Sequence, residues 1–409
     1  MRTTNRRSIA LVCCVILIGA SCVLAQDWPQ WRGPNRDGKV KGFNAPQKWP
    51  TELTQKWKKA VGPADATPAL VGDKLYVVAR QGDDEVTLCL NAANGEQVWM
   101  DKCAAPAVTR PADSHPGPRS SPAVAEGKVV TMSVGGVLSC LDAATGKLVW
   151  RKDPFPNAWP RFFTAFSPII VDGMAIAHLG KPGDGAVIAY DLATGNEKWR
   201  WADEGPDYGS PVLLTVAGTK QIVTPTEKSI VGISVADGKL LWQLPFVPQR
   251  RSYNAATPIV DGQTIYLSGG GAGTKAVEIE KQGDGFAAKE LWSNPELGVQ
   301  FNTPVLKNGL LFGQSNRGNL FCIDAKTGKT AWTDATAHGR GFAAIVDAGS
   351  CLLALPSTSE LIVYKPSGTE YAELAKIKVS DAPTYGHPVL AGNRIYIQDH
   401  EALTMWMVQ

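Results

Sequence analysis

The side chains best placed for chemistry lie next to a recurring dipeptide. A small hydroxylated residue followed by proline occurs as Thr67-Pro68, Ser121-Pro122, Ser167-Pro168, Ser210-Pro211, Thr257-Pro258 and Thr303-Pro304, with His387-Pro388 as a variant. Just before these pairs, or at the matching place in the seventh unit, stand Asp65, Arg119 and Ser120, Phe163 and Thr164, Tyr208, Tyr253 and Asn254, Phe301 and Asn302, Arg340 and Phe342, and Tyr385, followed by His387 itself. Aromatic rings, amides and two arginines converging on one place suit a funnel for a flat, polar or anionic ligand. The cofactor- or ligand-binding set so named is Arg119, Tyr208, Tyr253, Asn254, Asn302, Arg340, Tyr385 and His387. The same residues also fit a plainer role, filling a channel and capping strand ends.

Other chemistries lack their residues. The sequence has no G-x-S-x-G elbow and no G-x-x-x-x-G-K-[ST] loop. The five histidines (His115, His178, His338, His387, His400) show no H-x-x-x-H or H-E-x-x-H spacing, and C-x-x-C is absent, so no metal site is expected. Asp65 is the one carboxylate among the funnel residues, whereas Ca²⁺ wants several oxygen ligands. Asp142, Asp191 and Asp324 read as turn residues. Asp203, Glu204 and Asp207 remain as acids without an evident partner. A long insertion, 103–118, carries Asp113 and His115, runs up to Arg119, and is long enough to cover a channel mouth.

The elements that must hold these residues are repeats. LCLNAANGEQVW ends at Trp99, LSCLDAATGKLVW at Trp150, IAYDLATGNEKW at Trp199, VGISVADGKLLW at Trp242 and LFCIDAKTGKTAW at Trp332; a weaker copy ends at Trp292 and a degenerate one, LIVYKPSGTEY, at Tyr371. Each reads as an apolar strand, a tight Asx-x-x-Thr-Gly turn and a second strand closed by Trp. The front half of each unit, from the Ser/Thr-Pro pair through a Gly-centred turn such as Asp172-Gly173 or Asp261-Gly262, adds two more strands. Proline belongs at a strand's first residue because it has no N–H to donate. Gln55-Lys56-Trp57 is the end of a unit without its front, and 387–406 is a front without its end. Together they complete an eighth unit, which leaves no free sheet edge. The predicted fold is all-β: an eight-bladed propeller of four-stranded antiparallel blades, its ring closed by an N-terminal strand. Each Trp is expected to lie against the Asx-Thr-Gly turn of a neighbouring blade. The seventh unit keeps its apolar run, 342–347, but lacks both Pro and Trp.

The A-x-D-x-x-T-G-K-x-x-W pattern resembles the tryptophan-docking motif of the pyrroloquinoline quinone (PQQ)-type β-propeller repeats, across roughly 53–409. Two families share it: the quinoprotein alcohol dehydrogenases and the non-catalytic BamB-like propellers. The resemblance to the second implies a non-catalytic binding or protein-interaction scaffold of the cell envelope. The resemblance to the first implies the alternative, a small PQQ-dependent dehydrogenase holding PQQ and Ca²⁺ in its funnel. Those enzymes carry an axial Trp, an Asp base and often an adjacent-cysteine disulfide. The one adjacent pair here, Cys13-Cys14, falls in the leader, so no cofactor is assigned.

Domain limits follow from composition. Residues 1–25 read as a signal peptide, with Arg2, Arg6 and Arg7, an apolar stretch 9–18 too short to span a bilayer, and Val23-Leu24-Ala25 at the cleavage site. Cys22 offers a rival reading as a lipid-bearing cysteine. Residues 26–52 form a Trp- and Pro-rich plug, expected to pack Trp28 and Trp31 on one face, and 53–409 the propeller. The leader holds three of the 41 Lys and Arg and none of the 38 Asp and Glu, so the mature chain is formally neutral. Neutrality argues against a nucleic-acid partner held by bulk charge. The expected product is an exported monomer, periplasmic or extracellular, with no transmembrane segment in the mature chain and with an envelope protein or a small polar ligand as partner. Cys89, Cys140 and Cys322 share one repeat position and are expected as small buried residues.

Overall fold

A computed structural model describes residues 27–247, 249 and 252–408. The proposed signal peptide and Cys22 lie outside the described residues. Eight sheets of four antiparallel strands form an eight-bladed β-propeller. Seven blades are contiguous: 69–104, 123–152, 169–201, 212–245, 259–294, 305–337 and 343–378. The seventh is a complete blade despite its missing Pro and Trp. The eighth takes three strands from 389–407 and its outermost strand, Thr54–Ala60, from the other end of the chain. That strand pairs with Ala402–Met407, Thr54 opposite Met407 and Ala60 opposite Ala402.

The repeat motif performs the docking expected of it. In the turn after the second blade's third strand, Asp142 Oδ1 accepts the Thr145 N–H at 3.0 Å and the Thr145 hydroxyl at 2.8 Å. The turn closes at Gly146, φ 73°, and the indole of Trp99 from the preceding blade lies on it. A Cβ on Gly146 would come within 2.6 Å of that ring, so the position excludes side chains both by φ and by contact. The Trp99 Nε1–H donates to Ala143 O at 3.1 Å, the carbonyl just after the Asp. Trp150 to Leu192 O, Trp199 to Val235 O, Trp292 to Ala325 O and Trp57 to Ala92 O repeat the arrangement. Trp57 therefore carries the docking across the seam where the two chain ends meet. Trp242 departs from the pattern: the next blade has a long hairpin in place of the motif turn, and Trp242 Nε1 donates to Gln221 Oε1 within its own blade.

A second belt of contacts runs around the inner rim and explains the hydroxylated residue before each proline. The backbone N–H of His387 donates to Thr67 Oγ1, Thr67 N–H to Ser121 Oγ, Ser121 N–H to Ser167 Oγ, and Ser167 N–H to Ser210 Oγ, at 2.8–3.0 Å. Thr257 N–H reaches Thr303 Oγ1 in the same way. Each link joins one blade to the next, and each satisfies a buried backbone donor. Cys89, Cys140 and Cys322 are free thiols with no exposed surface, as their shared repeat position predicts.

The segment 27–44, read from sequence as a plug, carries two arginines into the channel. Arg32 Nη1 donates to Thr303 O at 3.1 Å and Nη2 to Pro304 O at 2.9 Å. Arg36 donates to Ser167 O, Pro168 O and Pro211 O. Both guanidinium groups are buried and, among the described residues, neither meets a carboxylate at hydrogen-bonding distance; backbone carbonyls take that place. Burial pulls Arg36 down to about 9 and Arg32 to about 10, the latter against the raising charge of Asp37, so both stay charged at neutral pH. Backbone bonds anchor the flanks: Trp28 with Leu70, Val124 N–H to Pro29 O, Val40 N–H to Asp347 O, and Asn44 N–H to Gly392 O. Trp31 Nε1 reaches Thr257 Oγ1. These partners belong, between them, to all eight blades.

Three outcomes follow. Trp150→Ala, which empties an interblade socket around a side chain 6% exposed, should destabilise the fold by about 3–5 kcal/mol. Leu148→Ala, two residues away and 48% exposed, should change stability by less than about 0.5 kcal/mol, read from urea midpoints. Arg36→Met, which strips three buried carbonyls of their donor, should cost about 2–3 kcal/mol and expose the 27–53 segment to limited proteolysis.

Candidate functional site

Above the two arginines the channel widens into a cavity of about 340 Å³. Its lining includes Trp31 from the plug and rings from the loops that enter the innermost strands. Phe162, Tyr208 and Tyr253 meet edge to face, with centroids 5.1–6.2 Å apart. On another stretch of the wall Phe301 stacks on Phe342 at 4.4 Å and 6°, and Phe342 meets Tyr385 edge-on at 5.5 Å. Such edge and stacked pairs satisfy the ring quadrupoles and stiffen the wall. The site is an aromatic cup floored by its own N-terminal segment.

Of the residues named from sequence, the structure brings Arg119, Tyr208, Tyr253, Asn302, Tyr385 and His387 to the cavity. Asn254 and Arg340 are not part of its lining. Asn254 is buried, with its amide donating to Thr226 O and Phe246 O, and Arg340 is exposed. His387 sits low in the cup, edge-on to Trp31 at 4.7 Å and 3.4 Å from Arg32 Nη1. Burial and the Arg32 charge hold it well below the usual histidine value, so it is neutral. The wall residue of the third blade is Phe162, not Phe163. Phe163 has φ 63°, which turns its ring away to stack on Trp159 at 5.3 Å. Two of the three acids left unpartnered by sequence have partners: Glu204 accepts from Thr226, Ser229 and Gln243 side chains, and Asp207 accepts the Asn254 N–H at 2.7 Å, whereas Asp203 is exposed.

The insertion 103–118 does reach the mouth, contributing Pro111, Ala112, Ser114 and His115 to the lining. It brings together a group that spacing along the chain concealed. Asp65 Oδ2 lies 2.6 Å from His115 Nδ1, and Asp65 Oδ1 lies 3.1 Å from His400 Nδ1. The three residues sit about 50 and 335 positions apart, so no sequence motif could join them. Burial pushes the Asp65 carboxyl up, but hydrogen bonds and charge from the two imidazoles outweigh it and hold the pKa below the ordinary value. The bond to Asp65 in turn raises His400. Arg119 stands beside them, donating to His115 O at 2.7 Å, while its buried Nη1 has no partner among the described residues.

Comparison with known proteins places this propeller. A family model described as outer membrane protein assembly factor BamB matches residues 110–334. The chain belongs to this family. A BamB of Xanthomonas campestris pv. campestris is 25% identical over 296 residues, 58% of this chain and 69% of its own length. A quinohemoprotein alcohol dehydrogenase of Comamonas testosteroni is 30% identical over 152 residues, but these are 36% of this chain and 21% of that enzyme. The solved structure of BamB from Moraxella catarrhalis aligns with a TM-score of 0.66 at 14% identity, covering 87% of this chain and 99% of that one, which shows the shared fold.

The cup of this BamB-family propeller does not fit PQQ with Ca²⁺. Asp65 is the one carboxylate of its lining, and Ca²⁺ needs several oxygen donors.

The Asp65 pairing has a measurable sign. His400, raised in the folded state, stabilises the fold fully below its unfolded value near 6.5, and that contribution is lost as pH rises through the folded value. Asp65, lowered in the folded state, contributes above its unfolded value near 3.8, and this is lost as pH falls through the folded value. Asp65→Asn should therefore lower the His400 pKa and flatten the stability profile across both limbs. Imidazole NMR titration and urea midpoints against pH read the two effects.

Proposed function

We propose that this protein is an exported, non-catalytic scaffold of the cell envelope whose aromatic cup receives a segment of a partner protein. The observation that carries this reading is the closed floor. Trp31, Arg32 and Arg36 seal the channel below the cup, so what enters must also leave by the mouth. A blind, ring-lined cup of about 340 Å³ suits one or two inserted side chains, the anchor geometry of protein interfaces. Membership of a family described by an assembly factor for outer membrane proteins supports the same reading, as does the leader-like sequence at 1–25. The rigid wall costs little further ordering when a partner docks.

The test is a photo-crosslinking amino acid placed at Tyr253 in the cup and, separately, at Leu148 on the outer surface, in the native host followed by fractionation. Crosslinks to one envelope polypeptide from position 253 and none from 148 are expected. Equal yields from both positions, or recovery of the protein in the cytosol, would overturn the proposal. So would dye-coupled alcohol oxidation by the purified protein with PQQ and Ca²⁺.

A further inference from the structure

We propose that Asp65, His115 and His400 form a binding site for a divalent transition metal of the Zn²⁺ class, with the remaining coordination position open to the cup. Their ligand atoms already lie within 4.8 Å of one another. Two imidazoles and one carboxylate are the donors that Zn²⁺ and its neighbours select, whereas Ca²⁺ and Mg²⁺ want an oxygen shell. Three protein ligands leave at least one position for water or an outside ligand.

The backbone holds the three ligands independently of any ion. Asp65 N–H donates to Pro118 O at 3.0 Å, tying the aspartate's loop to the insertion. Ala64 N–H donates to His400 O at 3.2 Å, tying it to the last hairpin. Gly117 packs on the same loop so closely that a Cβ there would lie 1.9 Å from Pro63 O. The Arg80 guanidinium donates to Pro106 O at 2.9 Å and to Pro116 O at 3.5 Å and fixes the insertion from beneath. His115 is held edge-on to Tyr385 at 4.9 Å. The ligand side chains retain 9–26% exposure, enough for an ion to enter from the cup.

Ligand atoms on one tetrahedral Zn²⁺ sit roughly 3.3 Å apart, so small side-chain rotations suffice. Binding at either Nδ1 requires the proton there to leave or to move to Nε2. Asp65 alone does not neutralise the ion, and Arg119 adds positive charge alongside, with its buried Nη1 unpartnered among the described residues. The loaded site is therefore built to take an anionic group, such as a carboxylate, bridging the ion and Arg119. This proposal does not depend on the scaffold reading, because its readouts need no partner protein.

The experiment titrates the purified, chelator-treated mature protein with Zn²⁺ by calorimetry and with Co²⁺ by ligand-field absorption, while imidazole NMR follows each histidine. One saturable ion per chain is expected, perturbing His115 and His400 and leaving His178 and His338 unchanged. His400→Ala and Asp65→Asn should each weaken binding by at least about tenfold. Absence of saturable binding would overturn the proposal, as would equal affinity in the doubly substituted protein or NMR changes confined to other histidines. The NMR assignment on the unsubstituted protein decides the matter even if a variant fails to fold.

Discussion

Two guanidinium groups in the middle of a ring, bonded to main-chain carbonyls, are the constraint on which the rest of the molecule depends. A propeller channel is lined by the starts of innermost strands, and in this chain proline stands at most of those starts. Proline contributes a carbonyl and no N–H, so the rim is rich in acceptors and poor in donors. Arg32 and Arg36 supply the donors to Ser167, Pro168, Pro211, Thr303 and Pro304. A buried charge is tolerated only when its hydrogen bonds are met, and carbonyl dipoles meet them here without a counter-carboxylate. The plug is thereby locked to the blades, and the cup gains its floor.

Around that hub, neighbouring blades are joined by two small, repeated devices at different radii. Outside, a tryptophan lies on a glycine turn and donates to the carbonyl following the Asx. Inside, the hydroxyl of one blade accepts the backbone N–H of another. Each device is local, as in other repeat proteins where a unit contacts only its neighbours. Local devices do not by themselves close a circle. Closure comes from Thr54–Ala60 pairing with Ala402–Met407, and from Trp57 docking on the first blade.

The Asp65 cluster sits at that seam. Asp65 follows the closing strand, His400 lies in the hairpin that strand completes, and His115 comes from the insertion between the first two blades. The group exists only when the ring is shut, which ties its chemistry to the integrity of the fold. Asp65, His115 and Arg119 all line the cup, so a carboxylate, an imidazole and a guanidinium stand together on a wall rich in aromatic rings, with His400 behind them on Asp65.

The sequence by itself determined the architecture, because each blade is encoded in short-range pattern. The Asx-Thr-Gly turn, the closing Trp and the Ser/Thr-Pro start act within a few residues of one another or on the next unit, so their repetition counts the blades and exposes the circular eighth. It also determined most of the cup's wall, since the loop before each innermost strand must face the axis. Only the tertiary structure decided which side chain of a loop turns inward. A positive φ at Phe163 exchanges it for Phe162, and the buried amide of Asn254 serves two backbone carbonyls in place of the cup. Only the tertiary structure put Arg32 and Arg36 in the channel and gathered Asp65, His115 and His400. Those contacts join segments far apart along the chain, and no local spacing records a distance that exists only after the two ends have met.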